Sequence, residues 1–441
     1  MEYAIDRDKV HRVMEKRAIK TQAELADRMG ITRNQMSVLL SSKSNPIKSC
    51  YQKLFDILSV DPMEVMMPKS GREKREPWKP GKKRPSGCTE DDLTAEFVDT
   101  SKVKAKRPYR SVELFAGAGG LALGLEQAGF WATGLVEIDR YAAETLRVNR
   151  PGWNVIEEDI VKVAENGIRN YLPDGGGEID FVSGGYPCQA FSYAGKKLGM
   201  EDVRGTMFFY FAKIVEQLRP KVFLAENVRG LLTHDHGRTL QTMVDIYEAM
   251  GYRVETHLVR AVDYGVAQKR ERLLIVGIRG DIGVKYCLPK VYERKLVLRD
   301  VLQDVPPSEG ERYPLKKEKV LRLVPPGGYW RDLPDEVARE YMGKSYFSGG
   351  GRTGMARRIS WDEPCLTLTC SPAQKQTERC HPDETHPFTV REYARIQSFP
   401  DDWKFSGAVS QQYKQIGNAV PVELARAVGL SIVDVLNRAE G

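Results

Sequence analysis

From Ser111 onward, short apolar runs of strand length alternate with stretches whose apolar positions recur at helical spacing. The runs are Val112–Phe115, Trp131–Glu137, Phe181–Ser183, Val222–Ala225 and Leu273–Ile278. Between them lie Leu121–Ala128, Tyr141–Val148, Phe208–Gln217 and Thr239–Met250. This alternation predicts an α/β fold, a mainly parallel sheet with helices on both faces. The rhythm stops near residue 280. Residues 280–386 are rich in Pro, Gly and Arg and hold only short strand-like pieces, which predicts an inserted smaller domain. Residues 387–441 return to helix, including Val422–Asn437, and complete the domain that opens at residue 109.

Residues 1–68 have a different texture, that of a compact all-α unit. In Gln22–Met29, residues Ala23, Leu25, Ala26 and Met29 fall at helical spacing, and Gly30 punctuates. Thr32 can cap a second helix with Met36, Leu39 and Leu40 on its apolar side. Tyr51–Leu58 is a further amphipathic helix, and Pro62 and Pro68 close the unit. A helix, a short Gly-containing turn and a second helix make the helix-turn-helix pattern. The second helix opens with Thr32, Arg33, Asn34 and Gln35, side chains suited to base edges and phosphates. The same spacing also fits a small bundle that contacts protein.

Composition narrows the classes. The chain has 441 residues, enough for two to four domains, with 41% hydrophobic and 29% charged positions. That excludes whole-chain disorder. The charge-free run Leu114–Leu125 is Gly-rich and too short to span a bilayer, which needs roughly 20 apolar residues. Glu2, Asp6, Arg7, Asp8 and Lys9 interrupt any signal-like start, so a soluble cytoplasmic protein is expected. Net charge is +7. Between Lys69 and Arg84, eight basic residues face only Glu73 and Glu76, a local +6 in a Pro/Gly-rich linker that runs over residues 69–108. Such a tether can follow phosphates. Seven scattered cysteines do not form a disulfide framework. Cys365, Cys370, Cys380, His381 and His386 are spaced unlike a zinc site, and no metal is expected.

The chemistry-bearing residues sit at predicted strand ends. Phe115-Ala116-Gly117-Ala118-Gly119-Gly120 is a glycine-rich strand-to-helix turn, where a ligand can lie against backbone. Glu137 and Asp139 follow the next strand, placed for ribose hydroxyls, and Asp159-Ile160 offers a carboxylate and an apolar face to an adenine ring. Together these indicate an adenosine-containing cofactor. Gly184-Gly185-Tyr186-Pro187-Cys188-Gln189 puts a cysteine in a loop after an apolar strand, where a stabilised thiolate can act as nucleophile. Glu226 follows the next strand. Gln268-Lys269-Arg270-Glu271-Arg272 opens another, and alternation puts Arg270 and Arg272 on one side. A thiol, an acid and two arginines suit a polarised heterocycle.

In order along the chain, FAGAGG (Phe115–Gly120), GGYPCQAFS (Gly184–Ser192), ENV (Glu226–Val228), QKRER (Gln268–Arg272), REYARIQSFP (Arg391–Pro400) and QIGNAVP (Gln415–Pro421) resemble the motifs of the cytosine-5 DNA methyltransferase family. The likeness covers about Tyr109 to Asn437. AELADRMGITRNQMSVLL (Ala23–Leu40) resembles the Cro and phage-repressor helix-turn-helix.

The first resemblance implies the S-adenosyl-L-methionine-dependent methyltransferase sheet, with residues 109–279 and 387–441 catalytic and 280–386 recognising the target. It implies that Cys188, beside Gln189, attacks carbon 6 of a cytosine flipped from double-stranded DNA. Glu226 would hold the ring nitrogen and exocyclic amine, Arg272 the carbonyl oxygen, and Arg270 would support them. Cofactor contacts would come from Phe115, Gly117, Gly119, Gly120, Leu121, Glu137, Ile138, Asp159, Ile160, Pro187, Asn418 and Val420. Ile138 stands where some members stack an aromatic ring. Lys196–Met207 resembles the family's closing loop. DNA contacts would come from Arg352, Thr367 and Thr369, with Arg357, Arg358, Lys375 and Arg379 near phosphates. The expected function is restriction-modification methylation. Two alternatives stand beside it. One is transcriptional regulation through residues 1–68, which would bind as a homodimer. The other is methylation of RNA.

Overall fold

The computed structural model describes residues 3–5, 7–17, 19, 21–29, 54, 56–58, 66–68, 97–187, 206–347 and 353–440. The chain divides into two units, Met1–Thr94 and Ala95–Gly441.

In the first unit, helices span Arg7–Lys16 and Gln22–Met29. Thr21 Oγ1 accepts the Glu24 amide at 3.1 Å and so starts the second helix. Val10, Met14, Ile19, Leu25, Ala26, Met29, Leu54 and Leu58 are buried. The strand Tyr3–Ile5 pairs antiparallel with Met66–Pro68. Pro68, read from sequence as closing the unit, is the last residue of an edge strand, where a missing N–H is tolerated. The second helix of the expected helix-turn-helix, with Thr32, Arg33, Asn34 and Gln35, lies outside the described residues.

The second unit is built on a seven-stranded sheet. Its strands are β1 (Tyr109–Leu114), β2 (Phe130–Glu137), β3 (Val155–Glu157), β4 (Phe181–Gly184), β5 (Val222–Val228), β6 (Tyr252–Arg260) and β7 (Glu271–Arg279). Their order is β3-β2-β1-β4-β5-β7-β6, and β7 alone runs against the rest. The expected mainly parallel sheet is present. The sequence pattern missed β6 because polar residues occupy most of it, with Tyr252 and Val254 buried on one face of the sheet and Val259 on the other.

Helices cover both faces. On one side α3 (Ile160–Asn166), α4 (Met207–Leu218) and α5 (Arg238–Ala249) enclose Val112, Leu114, Val182, Phe208, Phe211, Phe223 and Tyr247. On the other, α1 (Gly120–Ala128) packs against a helix from the end of the chain through Leu121, Leu125, Leu424, Val428 and Ile432. α2 (Arg140–Asn149) joins this face through Ala122, Leu135 and Leu146.

In the inserted region, α6 (Leu315–Leu321) and α7 (Asp335–Met342) share a small core with Tyr313, Val324, Trp330, Leu333, Met355 and Cys380. Its first residues belong elsewhere. Ile282 and Tyr286 join the core of the sheet, and Tyr286 OH lies 2.9 Å from Ser431 Oγ. The chain then returns as α8 (Val390–Ile396), α9 (Val409–Asn418) and α10 (Val422–Ala439). The helix packed on α1 is α10, apolar nearly all round and buried accordingly.

Residues 97–108, read as the end of the linker, pack onto this unit. Phe97–Val98 pairs with Leu288–Pro289, Lys106 Nζ donates to Asn437 O at 2.9 Å, and Arg107 reaches Asp180 and Glu440. Among the described residues, no helix is long and apolar enough to cross a membrane.

Candidate active site

In this strand order the connections reverse direction between β1 and β4, so a crevice opens beyond their carboxyl ends. Both glycine-bearing loops of the sequence leave the sheet there. Phe115 follows β1 with φ 59°, a left-handed backbone that costs a bulky residue of order 1 kcal/mol or more. Its ring lies 6.4 Å from that of Tyr186 after β4, so the two loops touch.

The cofactor-side acids are engaged with backbone. Glu137 Oε2 accepts the Gly117 amide at 2.7 Å and Oε1 accepts the Asp139 amide at 2.7 Å. Burial raises the Glu137 pKa, and these two amides only partly offset it. Asp139 caps α2 by accepting from Tyr141 and Ala142, and Asp159 caps α3 by accepting from Val161. Ile138 stands 67% exposed between them, an apolar surface at the crevice. Leu121 and Ile160 are buried in the core, so they back the pocket rather than face it.

The far end of the chain forms the opposite wall. A Cβ on Gly120 would collide with the Val420 carbonyl, so only glycine lets the QIGNAVP turn lie against α1. Trp403 Nε1 donates to Ala118 O at 3.2 Å, within 0.4 Å of the Lys414–Asp139 ion-pair length of 2.8 Å. Asn418 is exposed at the end of α9 and its Oδ1 accepts from Cys370 Sγ at 3.0 Å.

On the other side of the crevice stand the residues expected from the sequence to meet the base. Pro187 is exposed after β4. Cys188, Gln189 and most of the expected closing loop fall in residues 188–205, outside the described residues. Glu226 on β5 and Arg272 on β7 form an ion pair, each side chain 12% exposed. The antiparallel register sets Leu274 beside Glu226 and Arg272 beside Val228, so the arginine reaches back across two positions. A Cβ on Gly185 would lie 2.7 Å from Glu226 Oε2, so the loop before Cys188 passes directly over the acid. Asn227 fixes that loop, its Nδ2 donating to Tyr186 O at 3.1 Å.

Arg270 is 1% exposed. Its guanidinium donates to Leu368 O at 3.3 Å and Gly417 O at 3.1 Å. Burial, with repulsion from Arg272, pulls its pKa down to about 9, which still leaves it charged at neutral pH. It braces the site rather than facing the crevice.

The Thr-Leu-Thr element lies beside this strand. Cys365–Leu366 pairs in parallel with Gln268–Lys269, and Thr367 Oγ1 donates to Lys269 O at 2.9 Å. Thr369 Oγ1 donates to Ser371 O at 3.0 Å. Arg358 departs from its expected place near phosphates. It is 3% exposed and donates to the carbonyls of Leu321, Val324, His381, Pro382 and Glu384 and to Thr385 Oγ1. Six acceptors converging on one fork make it the polar centre of the inserted region. Arg379 is also buried and donates to Thr367 O at 2.7 Å. Lys375 donates to Tyr341 O at 2.8 Å, and Arg357 stays near Glu363. Arg352 lies outside the described residues.

Cys365 and Cys380 are buried in separate clusters, and burial raises both thiols. Among the described residues no group of three or more His, Cys, Asp or Glu is arranged to hold a metal ion. Sequence reasoning missed the contributions of Gly185, Asn227, Gln268 and Gln397. Each lies inside a quoted motif, but its role depends on a partner far along the chain.

Residues 109–434 match the model of the C-5 cytosine-specific DNA methylase family. The chain is 52% identical over 431 residues to a type II methyltransferase, M.Sau96I of Staphylococcus aureus, covering 96% of this chain and 97% of that one. It is 56% identical over 354 residues to M.Eco47II, a type II methyltransferase of Escherichia coli, covering 78% and 83%. The fold is similar to that of a DNMT2 variant of Spodoptera frugiperda, at 17% identity and TM-score 0.53, covering 76% of this chain and 100% of that one. It is also similar to the methyltransferase EhMeth of Entamoeba histolytica, at 16% identity and TM-score 0.51, covering 75% and 99%. With the family's motifs gathered at one crevice and its model matched across most of the chain, this protein belongs to the C-5 cytosine-specific DNA methylase family and is a DNA (cytosine-5-)-methyltransferase.

Proposed function

We propose that the protein methylates carbon 5 of a flipped cytosine within a specific duplex sequence, using S-adenosyl-L-methionine, as the modification half of a restriction-modification system. The observation that carries this reading is the meeting of Glu226, Arg272 and the Gly185–Pro187 loop at one sheet edge. The names of the Staphylococcus and Escherichia relatives, both type II methyltransferases, support the setting.

The residues of the crevice fit the cofactor. Open space lies where Gly117 lacks a side chain, and exposed Ile138 offers an apolar face for a ring. Glu137 would take the ribose hydroxyls, Asp159 the adenine amine, and Asn418 with Val420 would close the pocket. When bound, S-adenosylmethionine supplies an electrophilic methyl group.

Carbon 5 of cytosine is a poor nucleophile until a thiolate adds across the neighbouring double bond. Cys188 Sγ is the group to add at carbon 6. Glu226 then holds the ring nitrogen and exocyclic amine, and Arg272 the carbonyl oxygen, so negative charge developing on the ring is met by hydrogen bonds in a site shielded from water. Once carbon 5 carries the methyl group, loss of its proton to water lets the ring expel Cys188 as a thiolate and regain its double bond. Gln189 and the following loop would close over the extruded base.

Residues from about 290 to 386, with Thr367 and Thr369 at their inner edge, would read the duplex. The N-terminal unit is read as a helix-turn-helix that binds DNA as a homodimer. Its support is the Gln22–Met29 helix followed by Gly30 and the polar run Thr32–Gln35.

The test is incubation of duplex DNA with labelled S-adenosylmethionine. It should yield 5-methylcytosine at one sequence, and Cys188→Ala should abolish the product. Undiminished product from that variant would overturn the mechanism.

A further inference from the structure

We infer that Gln268 and Gln397 form a buried relay that couples the Thr367–Thr369 segment to the Ile416–Val420 turn. Taking those two segments as the target-reading edge and the cofactor wall, the inference rests on the function proposed above.

Both glutamines are 0% exposed. Gln268 Oε1 accepts the Leu368 amide at 3.0 Å, and its Nε2 donates to Gln397 Oε1 at 2.8 Å. Gln397 Nε2 donates in turn to Ile416 O at 2.7 Å and Ala419 O at 3.1 Å. The polarity of this chain is fixed by its ends. Two carbonyls at the far end demand the NH2 of Gln397, and the Leu368 N–H at the near end demands the oxygen of Gln268. Flipping either amide would set oxygen against oxygen or N–H against N–H.

A second strut runs alongside, because Arg270 donates to Leu368 O and to Gly417 O. Leu368 is thus held by both its N–H and its C=O. Between the struts the two segments touch directly, since a Cβ on Gly417 would collide with the Thr369 carbonyl.

Burying two amides gains little over burying two apolar side chains of similar volume. It does impose direction, because a displaced member leaves an unsatisfied polar group away from water. Movement of the Ile416–Val420 turn onto a ligand is therefore carried to Leu368, or the relay breaks at a cost. Gln268 and Gln397 are positioning residues that act through these backbones.

The experiment is hydrogen–deuterium exchange on the full-length protein with and without S-adenosylhomocysteine. The ligand should slow exchange in a peptide covering residues 116–120, and also, by about fivefold or more, in one covering residues 365–371, on the far side of the relay. Slowing confined to residues 116–120 would overturn the relay. Slowing at neither would overturn the cofactor reading, and the relay with it. In Gln397→Leu, slowing at residues 116–120 should persist while that at 365–371 is clearly reduced, the Arg270 strut and the Gly417–Thr369 contact carrying what remains. By linkage, duplex DNA and S-adenosylhomocysteine should tighten each other by the same factor in the natural protein, and by a smaller factor in the variant. Mutual tightening kept in full by a folded Gln397→Leu would count against the relay. The unmutated protein alone decides the matter if that variant fails to fold.

Discussion

Arg107 grips Asp180 through two hydrogen bonds, Nη1 to Oδ2 at 2.8 Å and Nη2 to Oδ1 at 2.7 Å. Lys221 and the Arg110 amide complete the set around a carboxylate that is itself 1% exposed. Burial alone would raise this acid. The hydrogen bonds from Arg107 and Lys221 outweigh it, so Asp180 sits below its ordinary value near 3.8. A depressed acid contributes stability that is present above its unfolded pKa and is lost as pH falls through the lower folded value. Asp180→Asn should therefore cost about 1–3 kcal/mol at neutral pH and flatten the loss of stability below about pH 4, as read by denaturant melts across pH. An unchanged acid limb would show that another group sets it.

Glu226→Gln keeps the shape of the acid but removes its charge, leaving Arg272 without its ion-pair partner. We expect kcat to fall by about 10²–10⁴, with DNA affinity changed far less. Steady-state kinetics beside a binding titration will separate the two.

Asn227→Ala frees the Tyr186 carbonyl and with it the loop that leads to Cys188. A displacement of about 1 Å at a reacting group can cost about 10²-fold. The expected result is a kcat loss of that order with little change in melting temperature. A matching fall in the rate at which a thiol reagent labels Cys188 would tie the loss to the loop.

Arg358→Met tests the correction made to this residue. As the centre of six hydrogen bonds, its loss should lower the melting temperature clearly while leaving the salt dependence of DNA binding unchanged. A phosphate contact would behave in the opposite way, reducing the salt slope by about 1.

Much of the fold was legible because the five short apolar runs from Val112 to Ile278 need no tertiary context to read as buried strands. β3 was legible only through the acid at its end, and β6 was not legible at all, since both are edge strands and β6 carries polar residues along most of its length. Charge misled at Arg358, because a run of basic residues looks solvated until the carbonyls that pair with it are known. The strand-end acids Glu137 and Asp159 were found by position. Gln268 and Gln397 were not, because an amide carries no charge to mark it and its partners lie 129 residues apart. Residues 97–108 continue the linker with a basic balance, and only the distant Asp180, Asn437 and Glu440 make them part of the fold.

The seating of α10 and the QIGNAVP turn against α1 has a consequence for synthesis on the ribosome. The wall opposite Gly120 is made of residues that emerge some three hundred positions later. A nascent chain that has already exposed the Cys188 loop and the Glu226–Arg272 pair still lacks that wall. Assembly of the crevice is therefore gated by translation of residues 415–436, and a ribosome stalled before them holds a chain with Cys188 made but no completed pocket.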